Sequence, residues 1–180
     1  MKTIFAFILL ACFGVTHAQT NYYTVTKTFN EDGYAYQCDV DESRFVMLYN
    51  KDSKYIFMDQ KYKDGRPLDK KFRNMPRTYY VKDDSWTKPK CYSIVNNAFA
   101  SFDKTRLKGR ELMISLYIDS TTGKIIDVEF NFVTFNPFST VPLSIYRNIE
   151  LEIKKQIYFI PTLEGNKLNF IFHFWQQKIE

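Results

Sequence analysis

Histidine, cysteine and glycine are scarce in this sequence of 180 residues, and their scarcity limits its chemistry. It contains two histidines, three cysteines and six glycines. His173 has no nucleophile or acid at a spacing that indicates a catalytic triad. Cys38 and Cys91 alone cannot supply the ligands of a zinc site, and no acidic segment has the spacing and glycine of a calcium loop. The sequence therefore predicts no catalytic residue, no metal and no cofactor.

No apolar run in the sequence is long enough to cross a membrane. The longest run, from Ile4 to Val15, follows Lys2 and ends in a short exit at Ala18, an arrangement typical of a secretory signal peptide. We predict cleavage after Ala18 and a periplasmic or secreted protein with no transmembrane segment in its mature chain. The alternative reads residues 9–12 as a lipoprotein box, in which Cys12 would carry a lipid and tether the chain to a membrane.

A strong excess of one charge is also absent. The chain has 25 Lys and Arg against 20 Asp and Glu, interleaved along its length, and a net charge of +5. A charge so small and so diffuse argues against nucleic acid as a partner. Apolar residues make up 45% of the chain and aromatic residues 18%, which is ample for a folded core.

Residues 19–85 show the alternation and turn residues of β-hairpins. One hairpin is predicted from segments 22–29 and 34–40 around a turn at 30–33, and another from segments 44–49 and 54–60. Residues 86–180 instead predict the order helix, strand, strand, helix, strand, with a tight turn at 120–124. The predicted fold class is therefore α+β, an antiparallel sheet packed with helices and preceded by a hairpin-rich segment.

Alternation along the last predicted strand assigns its side chains to two faces. Leu168, Phe170, Phe172 and Phe174 are predicted to face the core. The opposite, outer face would then carry a candidate partner-binding set: Asn169, Ile171, His173 and Trp175, together with Met113 and Tyr117 from the preceding sheet. Either the N-terminal hairpins fold over this surface, or it is an exposed binding surface.

Two further features of the sequence lead to hypotheses about a bond and a surface. Cys38 and Cys91 each lie on an apolar face, so both sulfurs should point inward, and we predict a disulfide between them. The alternative is two separate buried thiols. The segment 61–77 is basic and contains Lys70, Lys71 and Arg73. It is either a solvated loop or a patch that contacts an anionic surface.

The C-terminal half resembles the C-terminal domain of the TonB family. The matching residues are Ile118-Asp119, Gly123-Lys124 and Asp127-Val128 in the hairpin, Phe159-Ile160-Pro161 after the second helix, and Gly165-Asn166-Lys167-Leu168 before the last strand. The resemblance implies that a partner peptide is bound as an extra strand on the edge of the sheet. The whole chain also resembles a family of exported proteins of Gram-negative gut anaerobes, whose function is undefined.

These observations favour a non-enzymatic binding protein of the cell envelope that engages a protein or peptide by sheet-edge addition. The alternative is an envelope-associated protein that contacts peptidoglycan or lipid headgroups through the basic segment. A hydrolase is the residual hypothesis, because a catalytic pair of carboxylates needs only two acids at a suitable separation.

The predicted signal peptide can be tested on the exported protein. Intact-mass and N-terminal peptide measurements should find a chain that starts at Gln19, because cleavage after Ala18 leaves that residue first. A chain that starts at a lipidated Cys12, recovered with membranes, would contradict simple cleavage.

Overall fold

One antiparallel sheet of six strands organises the part of the chain that the structure describes. The computed structural model describes residues 20–73, 75–102 and 104–180, and the predicted signal peptide with Cys12 lies outside them. The strands are β1 (Lys27–Glu31), β2 (Tyr34–Val40), β3 (Phe45–Asn50), β4 (Glu111–Ile118), β5 (Ile125–Val133) and β6 (Ile171–Lys178). They are arranged in the order β1-β2-β3-β5-β4-β6, so β1 and β6 form the two edges.

The first predicted hairpin is present and has a two-residue turn. Asp32 and Gly33 connect β1 to β2, and both have positive φ angles, of 46° and 79°. Positive φ at both central residues is the requirement of the turn whose twist matches that of antiparallel strands. The Asp-Gly pair therefore fixes the pairing of β1 with β2.

The second predicted hairpin is wrong. β3 pairs with β2 on one side and with β5 on the other, so both of its edges are occupied. Residues 54–60 form no strand and pass over the outer face of the sheet, where the Tyr117 hydroxyl donates to the carbonyl of Ile56 at 3.4 Å. The main-chain N–H groups of Lys54 and Tyr55 donate to Oδ2 of Asp127, at 3.0 and 3.1 Å, which holds this segment as a loop. The hairpin strands thus extend the sheet instead of folding over it.

Helices cover the inner face of the sheet. The helices are α1 (Lys70–Arg73), α2 (Thr87–Ala98) and α3 (Leu143–Gln156), and α2 packs against α3. Tyr146 of α3 is completely buried, with its ring 5.0 Å from that of Phe130 and 5.7 Å from that of Phe132. None of the helices in the described ranges is both long and apolar enough to cross a membrane.

The side chains of β6 point to the opposite faces of the sheet from those predicted, because the alternation is shifted by one residue. Ile171 is buried in the core, whereas Phe172 and Phe174 are 42% and 57% exposed on the outer face. Phe170, just before the strand, is also buried, but it packs against the outer-face ring of Tyr117 at 5.6 Å. Two consecutive buried residues therefore interrupt the alternation at the start of β6. Consequently His173 and Trp175 also lie on the inner face, opposite the buried Leu116 and Ile114.

The predicted disulfide is absent, and Cys38 and Cys91 are both free, buried thiols. Cys38 lies on β2, three strands away from β4 in the sheet. Since neighbouring strands are about 4.8 Å apart, this separation is about 14 Å. Cys91 lies over β4 and β6, where it borders a cavity with Leu116 and His173. A disulfide needs its two Cα atoms within about 7 Å, so the fold keeps the two thiols apart.

Gly123 allows a close approach of two main-chain segments. Its φ is +73°, and a Cβ atom at this position would lie 1.7 Å from the carbonyl oxygen of Phe159. Gly123 also accepts a 2.9 Å hydrogen bond from the Phe159 N–H through its own carbonyl. The turn between β4 and β5 is thereby joined to the chain that leaves α3.

We predict that Gly123→Ala lowers the free energy of unfolding by about 3 kcal/mol or more, because the methyl group would force the two segments apart. Gly33→Ala is the matched control. Gly33 has a φ of +79°, but no atom lies within 4 Å of the position that an added Cβ would take. Only backbone strain of about 1 kcal/mol is therefore expected there. Urea unfolding of both variants measures the difference. Equal losses would contradict the close approach.

Candidate functional site: a cavity beside the open edge of β6

The main chain of β6 has unused hydrogen-bonding groups on one side. Just past its end, the N–H of Ile179 donates to the carbonyl of Arg110 at 3.0 Å. Residue pairs in an antiparallel ladder alternate between hydrogen-bonded and non-hydrogen-bonded. His173 lies an even number of residues before Ile179, so its main-chain N–H and C=O groups also point towards β4. The N–H and C=O groups of Phe172 and Phe174 therefore point away from β4. They have no hydrogen-bond partner within the described ranges.

This open stretch has a defined beginning and end. Before β6, the Asn169 N–H donates to the carbonyl of Lys61 at 2.9 Å, and the Asn169 side chain accepts from the Lys61 N–H. Towards the other end, the Tyr92 hydroxyl donates to the carbonyl of Gln176 at 3.2 Å. The open edge is therefore limited to the main chain around Phe172–Phe174.

The outer side of this edge is aromatic. The exposed rings of Phe172 and Phe174 stack with their centres 6.5 Å apart, and Tyr117 packs against Phe172 at 5.5 Å. Beside them is a shallow recess of about 250 Å³, lined by Ile56, Met58, Asp59, Gln60, Tyr117, Phe170 and Phe172. An apolar surface therefore flanks the open main chain on the outer face.

The inner side of the edge borders a cavity of about 230 Å³. It lies between β6, the first half of α2 and the segments that contain Arg77 and Phe159. Its walls are formed by Arg77, Thr87, Lys88, Cys91, Tyr92, Leu116, Phe159, His173 and Trp175. The floor is thus apolar and aromatic, and the two formally charged lining residues are both cationic.

The two cations differ in how they are held. The Arg77 guanidinium pairs with Asp83 at 2.6 Å and lies 5.6 Å from the centre of the Phe159 ring. The Lys88 ammonium lies 5.7 Å from the Tyr92 ring and has no ion-pair partner among the described residues. Since a guanidinium carries five N–H donors, a single carboxylate contact leaves Arg77 with donors to spare.

His173 is neutral at physiological pH. Burial, with the nearby charge of Arg77, lowers the pKa of His173 to about 4. Its ring lies 5.9 Å from Phe159, edge to face, and is stacked at 6.3 Å on Trp175. Only ring contacts are found for His173 in the part of the chain that the structure describes, and neither ring nitrogen has a hydrogen-bond partner there. A neutral imidazole has one N–H donor and one acceptor, and here both are unused.

Other polar groups around the cavity already form hydrogen bonds within the protein. The Thr87 hydroxyl donates to Asp84 at 2.7 Å, and the Trp175 indole N–H donates to Gln177 at 3.1 Å. Burial raises the pKa of the Cys91 thiol to about 12. A thiol that stays protonated is a poor nucleophile, so Cys91 contributes apolar wall rather than reactivity.

Comparison with known proteins places the chain in a family. The sequence profile described as a domain of unknown function, DUF5043, matches residues 19–175. This chain belongs to the DUF5043 family. It is also similar to the crystal structure, at 1.85 Å resolution, of a DUF5043 family protein from Bacteroides uniformis ATCC 8492. The two share 39% sequence identity and a TM-score of 0.83, with 89% of each chain covered. The search of curated proteins gives no match.

Membership of DUF5043 establishes a family and assigns no activity. The described part of the chain combines helices with a six-stranded antiparallel sheet, which agrees with the predicted α+β class. The order α2, β4, β5, α3, β6 is the one predicted from the sequence. Neither comparison bears on the resemblance to the TonB C-terminal domain.

The predicted partner-binding set is divided between the two faces of the sheet. Met113 and Tyr117 lie on the outer face, while Ile171, His173 and Trp175 lie on the inner one, and Asn169 lies in the loop before β6. The set therefore does not form one surface, because the alternation is interrupted at Phe170. Only His173 and Trp175 of this set line the cavity.

The basic segment presents exposed lysines that partly pair with neighbouring acids. Lys70 and Lys71 are exposed in α1, and the Arg73 side chain lies outside the described part of the chain. Lys71 lies 3.9 Å from Asp69. Arg77, at the end of the segment, is instead drawn into the cavity wall.

Sequence reasoning did not identify the cavity. Arg77, Lys88, Tyr92 and Phe159 come from separate segments, and no spacing along the chain indicates that they converge. The one available signal was a lone histidine in an aromatic strand.

We predict that His173 makes stability depend on pH. Its folded pKa of about 4 lies below the unfolded value of about 6.5. Between these values the unfolded chain binds a proton that the folded protein does not, so acid favours unfolding. The free energy of unfolding should fall by about 2 kcal/mol more in the wild type than in His173→Phe between pH 7 and pH 4.5. Urea titrations at the two pH values measure this. The same pH dependence in both proteins would contradict a partly buried histidine with a lowered pKa.

Proposed function

We propose that this protein is a non-enzymatic binding protein that takes up an extended peptide segment of a partner protein as a strand on β6. The supporting observation is the main chain around Phe172–Phe174, whose N–H and C=O groups face outward without a partner in the described chain. Such a row of groups can bind an added strand through main-chain hydrogen bonds, and neighbouring pockets then select its side chains.

The two edges of the sheet differ in their suitability for an added strand. Natural edges are commonly protected by charge and by shortness. β1 has five residues, of which the first, Lys27, and the last, Glu31, are charged. β6 has no Asp, Glu, Lys or Arg before Lys178. The contrast supports β6 as the binding edge.

The surfaces on either side of β6 could contact the side chains of an added strand and select among them. Successive side chains of a strand point to opposite faces, so alternate residues of the peptide would lie beside the rings of Phe172 and Phe174 or towards the inner cavity. The predicted export signal would place this partner in the cell envelope or outside the cell.

A proline scan of the open edge tests the proposal. Phe174→Pro removes an N–H that faces away from β4, so it should abolish strand addition while leaving the ladder with β4 intact. Phe174→Ala removes the same ring but keeps the N–H, and it is the matched control. The probe is a phage-displayed library of random heptapeptides, selected on the purified protein without its signal peptide.

Selected peptides should bind the wild type and, more weakly, Phe174→Ala, and they should not bind Phe174→Pro. On binding, hydrogen exchange at the Phe172 and Phe174 amides should slow by about tenfold or more. Thermal unfolding checks that both variants fold. Failure to select any peptide that protects these amides, or equal binding to both variants, would overturn the proposal.

The same purified protein is used to test the alternative, in which the basic segment 61–77 contacts lipid headgroups. Phosphatidylglycerol vesicles are the probe, and the variant is Lys70→Glu combined with Lys71→Glu. Retention on vesicles that this variant abolishes, together with failure of the peptide selection, would replace strand addition by contact with an anionic surface.

A further inference from the structure

We propose that the cavity between β6 and α2 is a binding site for a carboxylate group carried on a small apolar or aromatic body. The site is distinct from the open main chain of β6, although the two are neighbours. The inference holds for a free organic acid even if no peptide adds to β6, so it can fail separately from strand addition.

The size of the cavity limits what it can hold. At about 230 Å³ it is smaller than the sites that enclose drug-sized ligands, which start at about 300 Å³. It could hold a small acid or one side chain of a larger ligand. The buried Leu116 and Phe159 form part of its wall and would contact the apolar body of such a ligand.

The charges that line the cavity favour an anion. Arg77 and Lys88 both contribute to its wall, and no carboxylate of the described residues does. The nearest acids have other contacts: Asp83 pairs with Arg77 at 2.6 Å, and Asp84 accepts N–H and O–H bonds at the start of α2. Burial lowers the pKa of His173, and the charge of Arg77 lowers it further; this second contribution agrees with a positive potential inside the cavity.

The unused donors of the cavity match a carboxylate. Thr87 and Trp175 donate their hydrogen bonds within the protein. The neutral His173 ring, the free ammonium of Lys88 and the remaining N–H groups of Arg77 do not. A carboxylate has two acceptor oxygens and could accept from several of these donors, whereas a ligand cation would meet the like charges of Arg77 and Lys88.

Three probes of the same shape and different charge test the proposal. Benzoate, benzamide and benzamidine are titrated into the protein, and binding is followed through the NMR signal of the Trp175 indole N–H. Benzoate should bind with a dissociation constant of about 1–10 mM, as expected for a ligand of its size. Benzamide should bind more weakly, and benzamidine should not bind measurably.

Variants then assign the binding to this cavity. Arg77→Gln should raise the dissociation constant of benzoate by about tenfold, because it removes a charge-assisted hydrogen-bond donor. His173→Phe keeps a ring in place but removes the imidazole N–H, and it should also weaken the binding of benzoate. Lys88→Gln should weaken it by about threefold, since this cation is exposed. Lys90→Gln is the matched control on the same helix, because Lys90 is exposed but does not line the cavity, and it should have no effect.

A second pair of probes distinguishes the source of the carboxylate. These are acetyl-Thr-Val-Glu-Val-Thr-amide and the same peptide with Gln at its centre. A preference for the Glu peptide that is lost in Lys88→Gln and in Phe174→Pro would assign the carboxylate to an added strand. Benzoate binding that survives Phe174→Pro, without a preference between the peptides, would assign it to a free acid.

Three results would overturn the carboxylate site. The first is that benzamide or benzamidine binds as tightly as benzoate. The second is that both Arg77→Gln and His173→Phe leave benzoate binding unchanged. The third is that benzoate does not bind at all.

Discussion

A single buried carboxylate ties the helical layer to the sheet. Glu150 of α3 is completely buried, accepts a hydrogen bond from the Tyr36 hydroxyl of β2, and pairs with Arg147 at 3.0 Å and Lys154 at 2.6 Å. Lys154 also approaches Asp127 of β5 at 3.9 Å. Because an unpaired charge in the interior costs roughly 3–5 kcal/mol, these partners must stay in place when the protein folds. The position of α3 across β2 and β5 is therefore strongly constrained.

That constraint determines where the sheet is covered and where it is open. With α3 held over β2 and β5, α2 is left to cover β4 and β6, and it contacts the edge strand through Tyr92 and Gln177. One helix cannot fill the whole width beyond α3, so a cavity remains between α2 and β6. β6 is also the last strand of the sheet, and its main chain at Phe172 and Phe174 has no neighbour in the described chain. The cavity and the open edge therefore lie side by side at β6.

The sequence predicts the strongly periodic parts of this structure and fails where tertiary contacts reset the pattern. β4 and β5 follow from strict alternation around a short turn, and the β1–β2 hairpin follows from Asp32-Gly33. The facing of β6 does not follow, because Phe170 is buried by the loop over the outer face and not by the core. Residues 54–60 look like a strand. However, the Asp127 side chain, far away in sequence, accepts a hydrogen bond from the Lys54 N–H and holds the segment as a loop. The cavity depends on convergence of distant segments, which no local pattern encodes.

The exposed rings of β6 also bear on the function. A solvent-exposed, uncharged edge strand favours unwanted pairing between copies of a protein, and natural sequences usually place a charge or a proline there. Here Phe172 and Phe174 occupy those positions, next to an exposed Met58. Replacing either phenylalanine by lysine would protect the edge at little cost in stability, because neither ring is in the core. An aromatic edge beside a cationic cavity is therefore more easily understood as a surface that binds a ligand than as a requirement of folding.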